Sequence, residues 1–387
     1  MAPLIYLDHN ATTPLLPAAG RAMADAAAQF AANPASQHEA GRRARRRLEQ
    51  ARERIARALG ASIDGPRADR LLLTSGGTES NNHAILGPLR RCATPGRVLA
   101  SRIEHPSVLE PLAYLAQQGW TIDWLEADQQ GRVDIRGAEA LLRPDTRLAV
   151  LMLGNNETGV LQPVAELAAL CARRGVPLHC DAVQAVGKSP VDFAALGVAS
   201  LAFTAHKLHG PVGVGGLLVR SGYELGDWLL GGYQPGGRPG TQSVPLAVGM
   251  ETALLEWDAD RSASASRLTG LRDRLARLVL AECSGVVVIG ADAPRLPHTL
   301  CLAFAGIDRQ ALCMALDLAG VACSTGSACA SGSGEPSHVL RAMGLPEAQI
   351  RGAIRLSVGA LTQEAEIDQA TSRISLCARN LGQASQA

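Results

Sequence analysis

The sequence has few aromatic residues and no long apolar run. Phe, Trp and Tyr make up 3% of the 387 residues, although 47% of the chain is hydrophobic. The core is therefore expected to consist mainly of Ala, Val and Leu side chains. No apolar stretch is long enough for a transmembrane helix, and the first residues lack the basic and apolar regions of a signal peptide. These absences predict a cytoplasmic protein that does not associate with membranes.

The chain also lacks an excess of charge of one sign. The 37 Lys and Arg residues nearly balance the 36 Asp and Glu residues, which gives a formal net charge of +1. Proteins that bind nucleic acid through its backbone usually carry a strongly basic surface, so direct binding of nucleic acid is not expected. A small molecule or another protein is the expected partner.

The cysteines follow no recognisable spacing. Nine are scattered along the chain, and no pair has the Cys-x-x-Cys spacing of many zinc and redox sites. Neither a disulfide framework nor a metal site is predicted. Four cysteines in apolar runs are expected to be ordinary core residues: Cys171, Cys180, Cys301 and Cys313. A Gly-x-Gly-x-x-Gly motif is also absent after the first strand, which excludes a typical nucleotide-binding Rossmann enzyme.

Short apolar segments alternate with helical ones through most of the chain. Five of them predict buried strands, at 70–75, 96–101, 147–154, 176–182 and 198–205. This alternation predicts an α/β domain with a mainly parallel sheet. After residue 260 a long helix (Ser262 to Glu282) and further strand-like segments predict a smaller α+β domain. We expect a large domain over residues 15–260 and a small one from 1–14 and 261–387.

One predicted helix has signals at both ends. Ser36 and Glu39 have the spacing of a capping box, apolar residues recur every three or four positions up to Leu59, and Gly60 follows. The many arginines of this helix are either an anion-binding patch or the solvated face of an amphipathic helix.

Lys207 follows a predicted strand, in "TAHKLHG", between His206 and His209. A lysine withdrawn from water has a lowered pKa and can form a Schiff base. Asp181 ends another apolar strand, with Gln184 three residues later. A carboxylate placed there can pair with the ring nitrogen of pyridoxal phosphate. The alternatives are a lysine that reaches solvent from a strand end and an aspartate that caps a helix.

Three more polar segments follow predicted strands. Gly76-Gly77-Thr78 separates a strand from a helix and could offer backbone N–H groups to a phosphate. His105 could stack on a flat ring, and residues 153–159 end another strand in polar side chains. An ordinary turn or a structural histidine would explain each alone. Their shared position, at the carboxyl ends of strands, predicts one ligand site.

Cys329 lies in "STGSACASGS" (324–333), where almost every residue is small. No side chain of this segment is large enough to bury the thiol, so an accessible and movable cysteine is expected. The alternative is a loop that happens to contain a free cysteine.

Taken together, these segments resemble the pyridoxal-phosphate-dependent cysteine desulfurases of the NifS/IscS type. The resemblance covers nearly the whole chain, with many motifs in the family's order. They are "YLDHNATTP", "NPASQHEAG", "TSGGTESNN", "IEHPSVLEPL", "NNETGVLQP", "HCDAVQAVGK", "AHKLHGPVGVG", "GGRPGT", "GSACASGSGEPSHVLRAMG" and "IRLSVG". The resemblance implies fold type I of the pyridoxal phosphate enzymes, with a large domain and a smaller α+β domain.

The resemblance implies how the cofactor is held. Lys207 would bind it covalently and, with the help of His105, move protons. Asp181 would hold the ring nitrogen and Gln184 the ring hydroxyl, and His105 would stack on the ring. The phosphate would be bound by four residues: Gly77, Thr78, Thr204 and His206. Thr241 would reach the phosphate of the other subunit's cofactor, which implies a homodimer.

The resemblance also implies the reaction. L-Cysteine, with its carboxylate held by Asn156 and Arg355, would yield L-alanine and a persulfide on Cys329. The small residues would let Cys329 move from the cofactor to a sulfur acceptor or iron–sulfur scaffold protein. Cys323 is either a second sulfur-relay thiol or a strand residue of the core.

Two departures from the family pattern fall where subunits are expected to meet. Pro235 replaces an acidic residue, and Gln242 and Ser243 follow Thr241 where the family commonly has Glu-Asn. Near the lysine, Val212 stands where a basic residue is frequent.

Two other functions fit part of the pattern. A selenocysteine lyase or another carbon–sulfur lyase would share the fold and would not require Cys329. A non-enzymatic sulfur-transfer subunit would keep the fold without the chemistry. The second is disfavoured because each expected catalytic position holds the expected residue type.

Overall fold

The structure is a computed structural model that describes residues 4–232, 237–326 and 335–384. The strands of these residues are β1 (Ile5–Tyr6), β2 (Arg70–Thr74), β3 (Arg97–Ser101), β4 (Thr121–Leu125), β5 (Thr146–Val150), β6 (Leu178–Asp181), β7 (Ser200–Thr204), β8 (Gly215–Val219), β9 (Val286–Val288), β10 (Thr299–Phe304), β11 (Val321–Ala322) and β12 (Ala353–Ser357). The helices are α1 (Pro17–Gln29), α2 (Glu39–Ala58), α3 (Gly77–Leu89), α4 (Pro106–Gln117), α5 (Ala138–Leu141), α6 (Val164–Arg173), α7 (Phe193–Leu196), α8 (Val244–Ala259), α9 (Arg261–Glu282), α10 (Arg309–Leu318), α11 (His338–Ala342), α12 (Glu347–Arg351) and α13 (Glu364–Ala384).

A seven-stranded sheet carries the elements that surround the site. Its strand order is β2-β8-β7-β6-β5-β3-β4. Strands β3 to β7 pair in parallel, and β8 runs antiparallel to both β7 and β2. Six strands therefore end at the same edge of the sheet, with the start of β8 between two of them. The predicted α/β architecture with a mainly parallel sheet is confirmed.

Each of the five predicted strands overlaps a strand of this sheet, whereas β4 and β8 were not predicted. Strand β8 begins with two glycines, which are poor strand formers and hide its pattern. A Cβ added to Gly216 would lie 2.3 Å from Cζ of Phe203 on β7. The glycine therefore makes room for a core aromatic ring. Strand β4 lies at the sheet edge and is only partly buried, so its apolar pattern is weak.

The predicted cap of α2 is wrong. His38, not Ser36, is the N-cap, and its Nδ1 accepts a hydrogen bond of 3.2 Å from the Gly41 N–H. Ser36 instead packs on the first turn, where a Cβ on Gly41 would approach its carbonyl oxygen to 2.4 Å. Gly60 follows the helix with φ of 74°, in the left-handed region where glycine is favoured, as predicted.

The arginines of α2 do not all belong to one solvated face. Arg47 and Arg54 both pair with the buried Glu251 of α8, at 2.6 and 3.0 Å. Arg52 is buried and donates to Gln242, in front of α8. These three side chains attach α2 to α8, which neither alternative anticipated.

The remaining strands form two smaller sheets. Strands β12, β10 and β9 make an antiparallel sheet, and β1 pairs in parallel with β11. One hydrophobic cluster unites side chains from β1, α9, β10, α10, β12 and α13. Because these elements come from both ends of the chain, we propose this cluster as the core of the small domain. Among the described residues, no helix combines the length and apolar character needed to cross a membrane.

Candidate active site

A cavity of about 200 Å³ lies at the edge of the seven-stranded sheet where its parallel strands end. Its wall includes residues that follow five strands, as the strand-end pattern predicted. Nine residues predicted to bind cofactor or substrate line this cavity: Gly77, Thr78, His105, Asn156, Asp181, Gln184, Thr204, His206 and Lys207. Residues separated by more than a hundred positions in sequence are thus brought together.

Lys207 ends a short 3-10 turn directly after β7. Its Nζ donates to the carbonyls of Asn10 and Ala11, the latter at 2.8 Å. The N-terminal segment is held beside the lysine by the Thr13 N–H, which donates to the His206 carbonyl at 2.9 Å. The turn after β7 therefore carries the half-buried amine to the cavity, and the N-terminal segment holds it there through hydrogen bonds.

Asp181 belongs to a buried network of side chains. Its Oδ2 accepts 2.7 Å from Nδ2 of Asn81, and its Oδ1 accepts 2.9 Å from the Val183 N–H. Oδ1 of Asn81 lies 3.0 Å from Nε2 of His179, and Nδ1 of that histidine lies 2.8 Å from the Ser200 hydroxyl. Burial lowers the pKa of His179 to about 3, so its ring is neutral. The network thus holds the carboxylate without placing a second charge beside it.

His105 is joined to the same network. Nδ2 of Asn81 also donates to the Ser107 hydroxyl at 2.8 Å, which in turn lies 2.8 Å from Nδ1 of His105. The Ser107 N–H donates to that nitrogen too, at 3.1 Å. Two donors at Nδ1 place the proton of the neutral ring on Nε2. Burial, opposed by Asp181 and assisted by Lys207, lowers the pKa of His105.

The start of α3 is shaped to receive an anion. A Cβ on Gly77 would lie 2.7 Å from Cγ2 of Val183, and one on Gly215 would lie 2.8 Å from the Gly76 backbone. Glycine at these positions lets β8 and the turn after β6 approach the helix. The first N–H groups of a helix have no partner within it and attract negative charge. The hydroxyls of Thr78 and Thr204 and the imidazole of His206 line the same cavity.

The donor set fits pyridoxal phosphate. Lys207 provides the amine, Asp181 a buried carboxylate for a protonated ring nitrogen, and α3 an anion site for the phosphate. His206, whose pKa is lowered to about 4 by burial and by the two lysines, is a neutral hydrogen-bonding group.

Arg355, predicted to bind the substrate carboxylate, lies behind Asn156. It is buried on β12, and its Nη2 pairs with Oδ1 of Asp8 at 2.8 Å. Its Nη1 donates to the carbonyls of Asn156, at 3.1 Å, and Gly326, at 2.9 Å. Nε has no partner among the described residues. Asn156 lines the cavity, so Arg355 is one residue removed from it.

The departures near Thr241 have structural partners in this chain. Gln242 is buried and accepts from Arg52, and the Ser243 hydroxyl caps α8 by accepting from the Leu246 N–H. Thr241 is exposed and does not line the cavity.

Of the other two departures from the family pattern, the structure describes Val212 but not Pro235. Val212 is 72% exposed. Pro235 lies outside the described residues.

Cys329 also lies outside the described residues, but the residues on both sides of 327–334 are anchored. Gly326 is bound by Arg355, and Nη2 of Arg309 donates to the Glu335 carbonyl at 3.0 Å. Ser337 donates to the buried Glu157 at 2.5 Å.

Cys323 is half-buried, packs against the small-domain cluster and places its Sγ 3.6 Å from Sγ of Cys313. The contact with Cys313 and burial raise the pKa of Cys323. Of the two alternatives for Cys323, these features favour a core residue over a second sulfur-relay thiol.

Three buried polar residues of the site were not predicted: Asn10, Asn81 and Lys188. Asn10 accepts from Lys207 and Gln184 through its carbonyl, and Nζ of Lys188 donates to Gln184 at 3.1 Å. The amino-acid composition could have drawn attention to Lys188. Only two of the 37 basic residues in the sequence are lysines, Lys188 and Lys207.

Known proteins resemble this chain over nearly its full length. The aminotransferase class-V family matches residues 5–370. A Mycobacterium tuberculosis protein named IscS-like cysteine desulfurase is 43% identical over 376 residues, which are 95% of this chain and 94% of the relative. The structure of a NifS-like protein from Rickettsia africae has a TM-score of 0.88 at 28% identity, covering 97% of this chain and 99% of that one. A structure described as SspA in complex with cysteine has a TM-score of 0.79 at 30% identity, covering 91% and 98%.

The chain belongs to the aminotransferase class-V family. The relationship to the NifS- and IscS-type proteins that the motifs indicated is confirmed, as is the fold predicted with it.

Proposed function

We propose that the protein is a cysteine desulfurase that converts L-cysteine to L-alanine and takes up the sulfur on Cys329. The enzyme class and the pyridoxal phosphate cofactor predicted from the sequence are supported by family membership and by the relative named a cysteine desulfurase. The observation that carries the proposal is the cavity itself. It joins an amine, a buried carboxylate and an anion site in one cavity.

Each cofactor contact is assigned to a residue of the cavity wall. Lys207 would hold the cofactor covalently, Asp181 would hold the ring nitrogen and Gln184 the ring hydroxyl. The α3 start at Gly77 and Thr78 would bind the phosphate, together with Thr204 and His206. When bound, pyridoxal phosphate supplies a conjugated ring that accepts electrons from the substrate.

Protons are moved by Lys207 and His105. A neutral Lys207 amine removes the proton from the substrate α-carbon, and the neighbouring Asn10 and Ala11 carbonyls orient that amine. His105 carries its proton on Nε2 because Nδ1 is occupied by two donors. His105 would stack on the cofactor ring and donate that proton within the cavity that it lines.

The substrate carboxylate is bound by Asn156 and Arg355. A guanidinium can hold a carboxylate through two parallel hydrogen bonds. In the structure Nη2 of Arg355 is paired with Asp8, and Nε has no partner among the described residues. Asp8 therefore keeps the buried guanidinium paired until the substrate carboxylate competes for it.

Cys329 receives the sulfur. Its thiolate attacks the substrate sulfur, and the bonding electrons of the broken C–S bond stay on the substrate carbon, which is protonated to give alanine. The persulfide then passes its outer sulfur to an acceptor protein, with iron–sulfur cluster assembly as the proposed use.

We propose a cytoplasmic homodimer. The exposed Thr241 is available to the phosphate site of a second subunit, which supports this arrangement. Equilibrium sedimentation would give the mass of a dimer. A monomer that is fully active would contradict the role of Thr241.

The test is an absorption spectrum combined with an alanine assay on L-cysteine and a reductant. The wild type should show a bound-cofactor band and form alanine, and Cys329→Ala should keep the band and form none. Alanine formation that survives in Cys329→Ala would identify a carbon–sulfur lyase, such as a selenocysteine lyase, instead. No band after incubation with pyridoxal phosphate would contradict the proposal.

A further inference from the structure

We propose that Lys188 is a positioning residue that fixes the side-chain amide of Gln184, so that its NH₂ group rather than its oxygen faces the cofactor cavity. This inference rests on the proposed function, because the group that the NH₂ would face is an oxygen of the bound cofactor.

The contacts of Gln184 define its orientation at both ends. Nζ of Lys188 lies 3.1 Å from Oε1 of Gln184, and Nε2 of Gln184 lies 3.1 Å from the Asn10 carbonyl. Gln184 lines the cofactor cavity, whereas Lys188 is not part of that wall. The hydrogen bond through which Lys188 contacts the cavity wall is therefore the one to Gln184.

The two ends of a glutamine amide have nearly the same shape, so neighbouring hydrogen bonds decide which end points where. A carbonyl such as that of Asn10 only accepts, and Nζ of Lys188 carries N–H donors whether or not its amine is protonated. Both neighbours of Gln184 thus favour the same orientation. If Lys188 is removed, Asn10 alone opposes the flipped amide, which would turn an acceptor toward an electron-rich oxygen.

The position of Lys188 is unfavourable for the folded chain. Its side chain is 4% exposed, and burial, followed by the charges of Lys207 and Arg355, lowers its pKa. Other ionisable groups lie around it: the pKa values of His9, His206, His209 and His298 are each lowered in part by Lys188. A buried amine among basic groups lowers the stability of the folded chain. Its presence at this position therefore indicates another role.

The composition supports a specific role. The chain uses arginine at all basic positions except two, and both lysines contact residues of this cavity. Arginine is larger and could not replace a compact amine between Gln184 and the neighbouring core. Lys188 also lines a second cavity of about 250 Å³, together with His9 and His209, and reaches the wall of the cofactor cavity through Gln184.

The test uses Lys188→Met, which keeps the length and apolar stem but has no donor. In the holoenzyme we expect the dissociation constant of pyridoxal phosphate to rise about tenfold and the absorption maximum of the bound cofactor to shift. Gln184→Met should give a similar spectrum, and the double variant should be no worse than Gln184→Met alone. Ser189→Ala, at the next position, is the control and should leave both readouts unchanged.

A second measurement does not need the cofactor. In protein labelled with ¹⁵N-glutamine, the side-chain NH₂ signal of Gln184, assigned by its loss in Gln184→Met, should move and exchange faster with water in Lys188→Met. An unchanged amide signal, or additive losses in the double variant, would overturn the positioning role. If the wild type binds no pyridoxal phosphate, the proposed function fails, and the amide signal still decides the role of Lys188.

Discussion

The two sides of the candidate site differ in their principal hydrogen bonds, although Ser337 and Glu157 also form a side-chain pair beside residues 327–334. At the edge of the seven-stranded sheet, side chains bond to one another, as in the series from Asp181 through Asn81 to His105. Beside residues 327–334, guanidinium groups bond to main-chain carbonyls, Arg355 to Gly326 and Arg309 to Glu335. Side-chain pairs fix which atom carries a proton. Main-chain contacts instead fix where a segment begins and ends, whatever side chains it carries.

This difference matches two tasks of the proposed reaction. The cofactor needs fixed donors and acceptors, because its electronic state depends on them. A thiol that must meet a substrate and then an acceptor protein needs a segment with fixed ends rather than a fixed side-chain network. Each prediction below perturbs one side of the site and leaves the other intact.

The largest effect is expected at Lys207. Lys207→Ala should lower kcat for alanine formation by about 10³-fold or more, because the covalent contact and the proton acceptor are lost together. Lys207→Arg keeps the charge but not a nucleophilic amine, and should be equally inactive. An alanine assay with L-cysteine measures both, and activity within tenfold of the wild type in either variant would contradict the assignment.

The side-chain network is broken by Asn81→Ala. Its loss removes the donor to Oδ2 of Asp181 and the donor to the Ser107 hydroxyl, so we expect kcat/KM to fall about 30-fold, or ~2 kcal/mol. Asn82→Ala is the matched control, because Asn82 donates only to main-chain carbonyls, that of Thr78 at 2.9 Å. Equal effects of the two variants would show that the network has no special role.

The main-chain anchors are tested by Arg355→Lys. A lysine cannot make two parallel hydrogen bonds to a carboxylate, so KM for L-cysteine should rise about tenfold with a smaller change in kcat. Arg351→Lys changes a neighbouring, exposed arginine and should have no effect. If KM stays constant in Arg355→Lys, Arg355 anchors Gly326 only and does not bind substrate.

The smallest effect concerns stability rather than catalysis. Glu104 is fully buried, and burial raises its pKa from 4.5 to about 8. A carboxyl whose folded pKa is raised favours the folded state below its unfolded pKa, and this contribution is lost as pH rises through about 8. In Glu104→Gln the Tm should therefore fall less between pH 5 and pH 8 than in the wild type. Exposed Glu110→Gln is the control, and parallel curves for all three proteins would contradict the buried state of Glu104.

The sheet edge could be predicted from the sequence because its signals are local. An apolar strand followed at once by a polar residue identifies Asp181, His105 and Lys207 from a few neighbouring letters each. Common fold rules then place these residues together at one edge.

The partners of these residues could not be predicted, because they are distant in sequence. Asn81 lies 100 positions from Asp181, and Asn10 lies 197 positions from Lys207. Strand β8 was missed for a related reason, since its Gly216 is explained only by the ring of Phe203 on the adjacent strand. The α2 cap was misassigned because a histidine imidazole took the place of the expected serine hydroxyl.

The most direct test of the central claim is mass spectrometry after a single turnover with L-cysteine and no reductant. The account predicts that the peptide containing Cys329 gains the mass of one sulfur atom, together with one alanine per sulfur. Because Cys313 and Cys323 lie on the same tryptic peptide (310–341), fragment ions should place the added mass on Cys329 and leave those two cysteines unmodified. Alanine formed without added mass on Cys329, or with the sulfur found on Cys323, would contradict it.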